Sequence, residues 1–158
     1  MLGITYLTYW IGIESLRRTE LVFFHTKEPA QGDNRHYDNI PDPQIKNYVA
    51  NLRQLMIEDR LYLNEHLSLR DVSGQLTIDP NLLSYILNTH IEKSFYEFIN
   101  QFRVEEVKSK LSQPKYQNYT LLAIALESGF NSKTSFNRVF KQMTGMPPGQ
   151  YQKKIKSE

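Results

Sequence analysis

Apolar and polar side chains repeat with a helical period between residues 133 and 143. Four apolar residues recur at positions i, i+3, i+4 and i+7, namely Phe136, Val139, Phe140 and Met143. Four polar residues repeat this spacing two positions earlier, namely Thr134, Asn137, Arg138 and Lys141. Two residues correspond to about 200° around a helix, so the two stripes lie on opposite faces. The pattern predicts a helix with a buried apolar face and an outward polar face.

The same double stripe occurs once earlier in the chain. Its apolar positions are Leu83, Ile86, Leu87 and His90. Its polar positions, each 53 residues before its counterpart, are Asn81, Ser84, Tyr85 and Asn88. Each striped helix follows a short amphipathic helix and a turn, which is the layout of a helix-turn-helix. We expect two such units, at about residues 67–91 and 120–143.

A longer amphipathic helix is expected between the two units, at about residues 94–111. Its length would be about 27 Å at 1.5 Å per residue. A rod of this size can hold two recognition helices near 34 Å apart, one turn of B-DNA. The fold class that we expect is therefore all-α: two helix-turn-helix subdomains joined by a linker helix. A further amphipathic helix near residues 45–56 should pack on this domain, which we place at residues 44–158.

Charge is distributed unevenly, and this distribution favours a polyanionic partner. The 158-residue chain has a net charge of only +2, but residues 128–158 carry six basic groups and one acidic group. The outward face of the second striped helix adds cations to side chains that both donate and accept hydrogen bonds, as the DNA major groove requires. No cysteine is present, which excludes disulfides and thiolate metal sites.

The first 43 residues differ in character from the rest. Residues 1–28 form an apolar and amphipathic leader, and residues 29–43, rich in proline and polar side chains, form a linker. Residues 1–13 would span about 20 Å as a helix, short of the ~30 Å hydrocarbon layer of a membrane. Three interpretations stay open: a seam that pairs with a second copy of the chain, the inner end of a membrane helix, or a buried packing helix.

The second unit carries the most specific family resemblance. The segment IALESGFNSKTSFNRVFKQMTGMPPGQY is similar to the signature of the AraC/XylS family of transcription regulators. That signature has an Ile-Ala pair, a Gly-Phe turn, a serine-rich helix start, Phe-x-x-x-Phe-Lys, and Gly-x-x-Pro before an aromatic residue. The resemblance covers about residues 50–155. The first unit departs from it in that Ser73 replaces the usual alanine and Glu92 replaces the glycine of many members.

The resemblance implies a DNA-binding domain that activates or represses a promoter, with double-stranded DNA and RNA polymerase as partners. The reading positions it implies are Asn81, Ser84, Tyr85, Asn88, Lys133, Thr134, Asn137 and Arg138. Some relatives join the domain to a sensor, and one branch carries it after a multi-helix membrane region. A cytoplasmic location follows, either as a free regulator or as the cytoplasmic part of a membrane-anchored one.

The candidate residues differ in how strongly they indicate DNA. Arg138 is the strongest, because its planar fork can pair with guanine O6 and N7, whereas Lys133 and Lys141 suit phosphates. Tyr85 could serve packing as readily as base reading.

The chain shows no phosphate-binding loop, nucleophile elbow or metal-ligand spacing, so we expect no enzymatic activity, cofactor or metal. The alternative function is a protein-interaction module whose partner surface is the aromatic leader.

Overall fold

A computed structural model describes residue 37 and residues 39–157, and this part of the chain is helical without a strand. Its α-helices, numbered along the chain, are α1 Asp42–Ile57, α2 Leu69–Leu76, α3 Pro80–Ile86, α4 Phe95–Leu111, α5 Leu121–Glu127, α6 Lys133–Thr144 and α7 Pro148–Ser157. The prediction of an all-α fold with two helix-turn-helix subdomains and a linker helix is confirmed. The leader, residues 1–28, and most of the linker lie outside the described residues.

Polar side chains at the helix starts explain where the elements begin. Ser68 and Ser94 each form a reciprocal capping box, in which the serine hydroxyl accepts from the third helical N–H and a carboxylate accepts from the serine N–H. Asp79 caps α3 because its carboxylate accepts from the Asn81 N–H at 2.7 Å, directly before Pro80. These caps satisfy backbone donors that a helix leaves unpaired at its first turn.

The two capping boxes should make the fold sensitive to acid. Hydrogen bonds from the Ser68 side chain and backbone hold the pKa of Asp71 below its ordinary value. Hydrogen bonds from the Ser94 backbone and side chain do the same for the pKa of Glu97. A carboxyl whose pKa is lower in the folded state stabilises the fold above its unfolded pKa, and this contribution disappears as the pH falls through the folded pKa.

We therefore expect the urea midpoint of unfolding to drop between about pH 5 and pH 3. The Asp71→Asn, Glu97→Gln double variant should show a smaller drop than the original chain over the same range. Urea unfolding followed by circular dichroism at several pH values measures both. Identical pH dependence in the two proteins would show that the boxes contribute nothing to stability.

The first helix-turn-helix unit is built around its own hydrophobic core. Helices α1, α2 and α3 meet the first half of α4 there, and the buried members are Leu52, Met56, Tyr62, Leu67, Val72, Leu83, Leu87, Phe95, Phe98 and Ile99. Burial of this apolar surface supplies the main stabilisation of the unit.

The second unit has a separate core at the other end of α4. Helices α5, α6 and α7 surround it, and the buried members are Val104, Val107, Tyr116, Ile124, Ala125, Phe130, Phe136, Val139 and Phe140. Helix α4 contributes its first half to one core and its second half to the other. It therefore connects the two units as a shared structural element rather than as a free linker.

The end of the first striped helix departs from the predicted pattern. After α3 the chain forms a π-helical turn at Leu87–Ile91, and Glu92 then adopts a left-handed conformation with φ of 57°. A π turn holds more residues than an α turn, so it rotates later side chains away from the apolar stripe. His90 is accordingly exposed and does not belong to the buried stripe, but its ring still packs edge-on against the ring of Tyr85, with centroids 5.7 Å apart. Glu92 takes a conformation that glycine adopts at lower cost.

Candidate nucleic-acid interface

Helix α6 is anchored by the aromatic side chains on its inner face. Phe136 and Phe140 are 1% and 0% exposed. Their ring centroids lie 5.5 Å apart, and Phe140 lies 5.3 Å from the ring of Tyr151 in α7. Ser132 caps the start of the helix through its hydroxyl, which accepts from the Ser135 N–H, and Gly145 caps its end with φ of 77°. These contacts fix which side of α6 faces outward.

The outward face of α6 is polar and basic. All five candidate residues on this helix are exposed, as predicted: Lys133, Thr134, Asn137, Arg138 and Lys141. The helix contains no acidic residue. Met143 lies at the edge of the apolar stripe and is 40% exposed, so its predicted burial is wrong. A three-cation face with amide and hydroxyl groups can contact phosphates and base edges together.

Helix α5 and a tight turn position α6. Thr120 caps α5 by accepting from the Ala123 N–H, and the buried Ser128 ends it by donating to the Ile124 carbonyl oxygen at 2.7 Å. Gly129 follows with φ of 90°, a left-handed value that favours glycine. Phe130 then enters the second core at 1% exposure. The turn and the buried Phe130 side chain thus fix the direction of α6 relative to the second core.

The first striped helix, α3, presents fewer polar groups and no lysine or arginine. Asn81 and Asn88 are exposed and Ser84 is half-buried. The Asn88 amide donates to the Ser84 hydroxyl at 3.3 Å. These three side chains share one side of the helix, as their spacing predicts. Without cations, this face suits contacts to base edges and offers little attraction to phosphates.

Tyr85 departs from the predicted outward position. Its side chain is 8% exposed and belongs to a small cluster with Ile45, Leu82 and Ile86. The ring of Tyr37 covers it, with centroids 5.5 Å apart, and the Tyr37 hydroxyl lies 3.4 Å from Asp79 Oδ1, which it meets as a hydrogen-bond donor. Tyr85 therefore packs rather than projects, which corrects its prediction as an exposed reading side chain.

Sequence reasoning missed the role of Tyr37 because residues 29–43 have the composition of a linker. The signal that was present is the aromatic and apolar pair of Tyr37 and Ile40 within a polar stretch. Both side chains pack against the small cluster that contains Tyr85. The segment directly before α1 thus contacts α3.

A Tyr85→Phe variant tests this packing role. The change removes the hydroxyl and keeps the ring that the cluster surrounds, so we expect DNA affinity and base preference to stay within about twofold of the original. Competition binding on sites with single base changes measures both. A lost preference at one base position would show instead that the hydroxyl reads DNA.

Two further properties concern membranes and metals. Within the described part of the chain, no helix has both the length and the apolar composition needed to cross a bilayer. Across the same residues, no three histidine or acidic side chains are grouped as metal ligands would be.

Comparison with known proteins places these features in a family. A family model described as a helix-turn-helix domain matches residues 72–154. An uncharacterised HTH-type transcriptional regulator of Staphylococcus aureus (strain COL) is 35% identical over 91 residues, which are 58% of this chain and 12% of that protein. The HTH-type regulator YtdP of Bacillus subtilis (strain 168) is 27% identical over 116 residues, 73% of this chain and 14% of that protein.

A solved structure shares the fold. A transcriptional regulator of Chromobacterium violaceum, described as containing an AraC-type DNA-binding domain, superimposes with a TM-score of 0.60 at 15% identity. The match covers 72% of this chain and 96% of that one. The chain thus spans about an eighth of the length of these curated relatives and matches nearly all of the Chromobacterium violaceum chain. The family model covers more than half of the chain, so the chain belongs to the helix-turn-helix domain family, and its fold is shared with a protein of the AraC type.

Proposed function

We propose that this chain carries the DNA-reading part of a transcription regulator that binds a specific base sequence. The observation that carries the proposal is the outward face of α6, where exposed Lys133, Asn137, Arg138 and Lys141 lie opposite a buried phenylalanine core. A helix that is anchored on one side and polar on the other can enter the major groove without losing its packing.

The side chains on α6 divide into two roles. Arg138 and Asn137 suit base edges, since a guanidinium pairs with guanine and an amide with adenine in the major groove. Thr134 can contact either a base or the thymine methyl group. Lys133 and Lys141 are placed for phosphates, which position the helix without specifying sequence.

The first unit contributes a second, weaker reading surface. Asn81, Ser84 and Asn88 form it, and the buried Tyr85 is left out. Helix α4 has 17 residues and a length of about 26 Å, and it joins the two units through both cores. We therefore propose that α3 and α6 enter successive major grooves on one face of the duplex.

The role of the whole protein extends beyond the described domain. We propose residues 44–158 as the DNA-binding domain, residues 29–43 as the linker and residues 1–28 as the leader, which pairs with a second copy or continues a membrane helix. RNA polymerase is the partner through which such a regulator would act on a promoter. Either arrangement keeps the domain in the cytoplasm, where its DNA is.

Selection from a random DNA pool tests the proposal. The chain should enrich a motif with two conserved segments centred about 10 base pairs apart. Its affinity for the motif should fall steeply with salt, because lysine–phosphate contacts release counterions. Unselected DNA of equal length is the control. Recovery of a pool with no common motif would contradict sequence-specific binding and favour the interaction-module alternative.

A further inference from the structure

The loop between α1 and α2 is tied to the middle of α4. Tyr62 lies in this loop, is buried in the first core and stacks on Phe102 of α4 with ring centroids 5.7 Å apart. The Arg103 guanidinium donates to the Tyr62 carbonyl oxygen and to the Asn64 carbonyl oxygen, both at 2.8 Å. Burial lowers the pKa of Arg103 to about 10, so it stays charged at neutral pH. Arg103 thus clamps the loop backbone onto α4.

A charged network continues from this loop along α4. The Glu106 carboxylate accepts from the Tyr62 hydroxyl at 3.1 Å and pairs with the Arg60 guanidinium at 2.6 Å. Lys110 lies 3.5 Å from the same carboxylate and donates to the Glu127 carbonyl oxygen at 2.8 Å. The side chains of Glu106 and Lys110 are only 13% and 8% exposed. Charges this sheltered interact more strongly than surface pairs.

The network reaches the turn of the second helix-turn-helix unit. Glu127 is the last residue of α5, and Gly129 in the turn lies directly against the loop. A Cβ atom built on Gly129 would overlap the Tyr62 carbonyl oxygen and would lie 3.0 Å from the Leu63 Cα. Only a glycine permits this approach. The loop of the first unit therefore touches the turn that aims the second reading helix.

We infer that this set of residues, Arg60, Tyr62, Arg103, Glu106, Lys110 and Gly129, is a brace that fixes the rotation of α6 relative to α3. Each unit is held to α4 through its own core, so rotation of one unit relative to the other about α4 is resisted only by that packing. A direct contact between the units, away from the α4 axis, adds resistance to this rotation. The inference rests on the proposed function. On DNA, the brace would determine the spacing between half-sites that the protein accepts.

The number of base pairs between two half-sites fixes both their distance and their relative rotation around the duplex. One inserted base pair moves a half-site by about 3.4 Å and rotates it by about 35°. A braced protein must distort or release one site, so its affinity should fall by about tenfold or more. A protein without the brace can follow the rotation by twisting about α4, and its affinity should fall by less than about threefold.

Gly129→Ala opens the brace, and Gly145→Ala is the matched control. Both glycines adopt left-handed conformations, with φ of 90° and 77°, so both substitutions introduce a similar backbone strain. Of these two glycines, Gly129 faces another segment, whereas a Cβ on Gly145 would meet no described residue within 4 Å. The measurement is affinity for the selected site and for versions with one base pair inserted or deleted between its halves. We expect a relaxed spacing preference in Gly129→Ala and the original preference in Gly145→Ala.

Glu106→Gln provides a second and milder variant in case Gly129→Ala does not fold. It keeps the shape of the side chain and removes the charge that Arg60 and Lys110 share. Glu105→Gln is its control, since Glu105 is 61% exposed and pairs with Lys108 of its own helix at 2.8 Å. Relaxed spacing in Glu106→Gln with unchanged spacing in Glu105→Gln is the expected result.

The outcomes separate the brace from the proposed function. An original chain that binds no selected site would overturn the proposed function itself. An original chain that binds but tolerates altered spacing would overturn the brace alone. The brace is equally overturned if Glu106→Gln, or a folded Gly129→Ala, keeps the tenfold spacing penalty of the original.

Discussion

Replacing Phe140 by alanine is expected to lower the free energy of unfolding by about 3–5 kcal/mol. The side chain is 0% exposed and lies between the rings of Phe136 and Tyr151, so its removal leaves a cavity that rigid aromatic neighbours cannot fill. Small domains are stable by only about 5–15 kcal/mol, so this change removes a large share of the total. Urea unfolding followed by circular dichroism measures the loss.

Met143→Ala is the matched control on the same helix. Met143 occupies the next position of the same sequence stripe but is 40% exposed, so its truncation should cost less than about 1 kcal/mol. Comparable losses in the two variants would mean that α6 is not oriented by the Phe136–Phe140 face. That outcome would also remove the basis for placing Arg138 outward.

Arg138→Ala is expected to weaken binding to the preferred DNA site by about 1–3 kcal/mol and to relax preference at one base position. The reason is the loss of a planar donor pair suited to guanine O6 and N7. Because Arg138 is exposed, the thermal unfolding midpoint should fall by no more than a few degrees, a change too small to explain the loss of DNA binding. Competition binding against all single-base variants of the site provides the measurement.

Lys141→Ala is the control for this second prediction. It removes a cation from the same face at a position suited to phosphate, so binding should weaken uniformly across sequences and the salt slope should decrease by about one. If Arg138→Ala also weakens all sites uniformly, the arginine contacts phosphate and the assignment of base reading to it is wrong.

Helix boundaries and the exposed face of α6 were predictable because both depend on residues near each other in sequence. Ser94 and the Asp79–Pro80 pair mark helix starts through hydrogen bonds made within one turn. The opposite stripes around Phe140 and Arg138 follow from helical periodicity alone. These features need no knowledge of the rest of the fold.

The features that escaped prediction depend on contacts between distant segments or on a broken periodicity. Tyr85 is covered by Tyr37, 48 positions away, and the apolar pair of Tyr37 and Ile40 does not by itself indicate which helix it contacts. His90 leaves the apolar stripe because a π turn interrupts the 3.6-residue period. The brace joins Tyr62 of the first unit to Gly129 of the second unit. The sequence shows only a glycine in a turn, and the geometry of the turn is enough to explain that glycine.

Dimethyl sulfate protection on a selected site tests the central claim most directly, because the reagent reports guanine N7 in the major groove. We expect two protected clusters centred about 10 base pairs apart on one face of the duplex, as two reading helices in successive grooves require. The cluster under α6 should lose one protected guanine in Arg138→Ala while the other cluster stays intact. Protection of a single groove, or equal protection of specific and random DNA, would contradict the account.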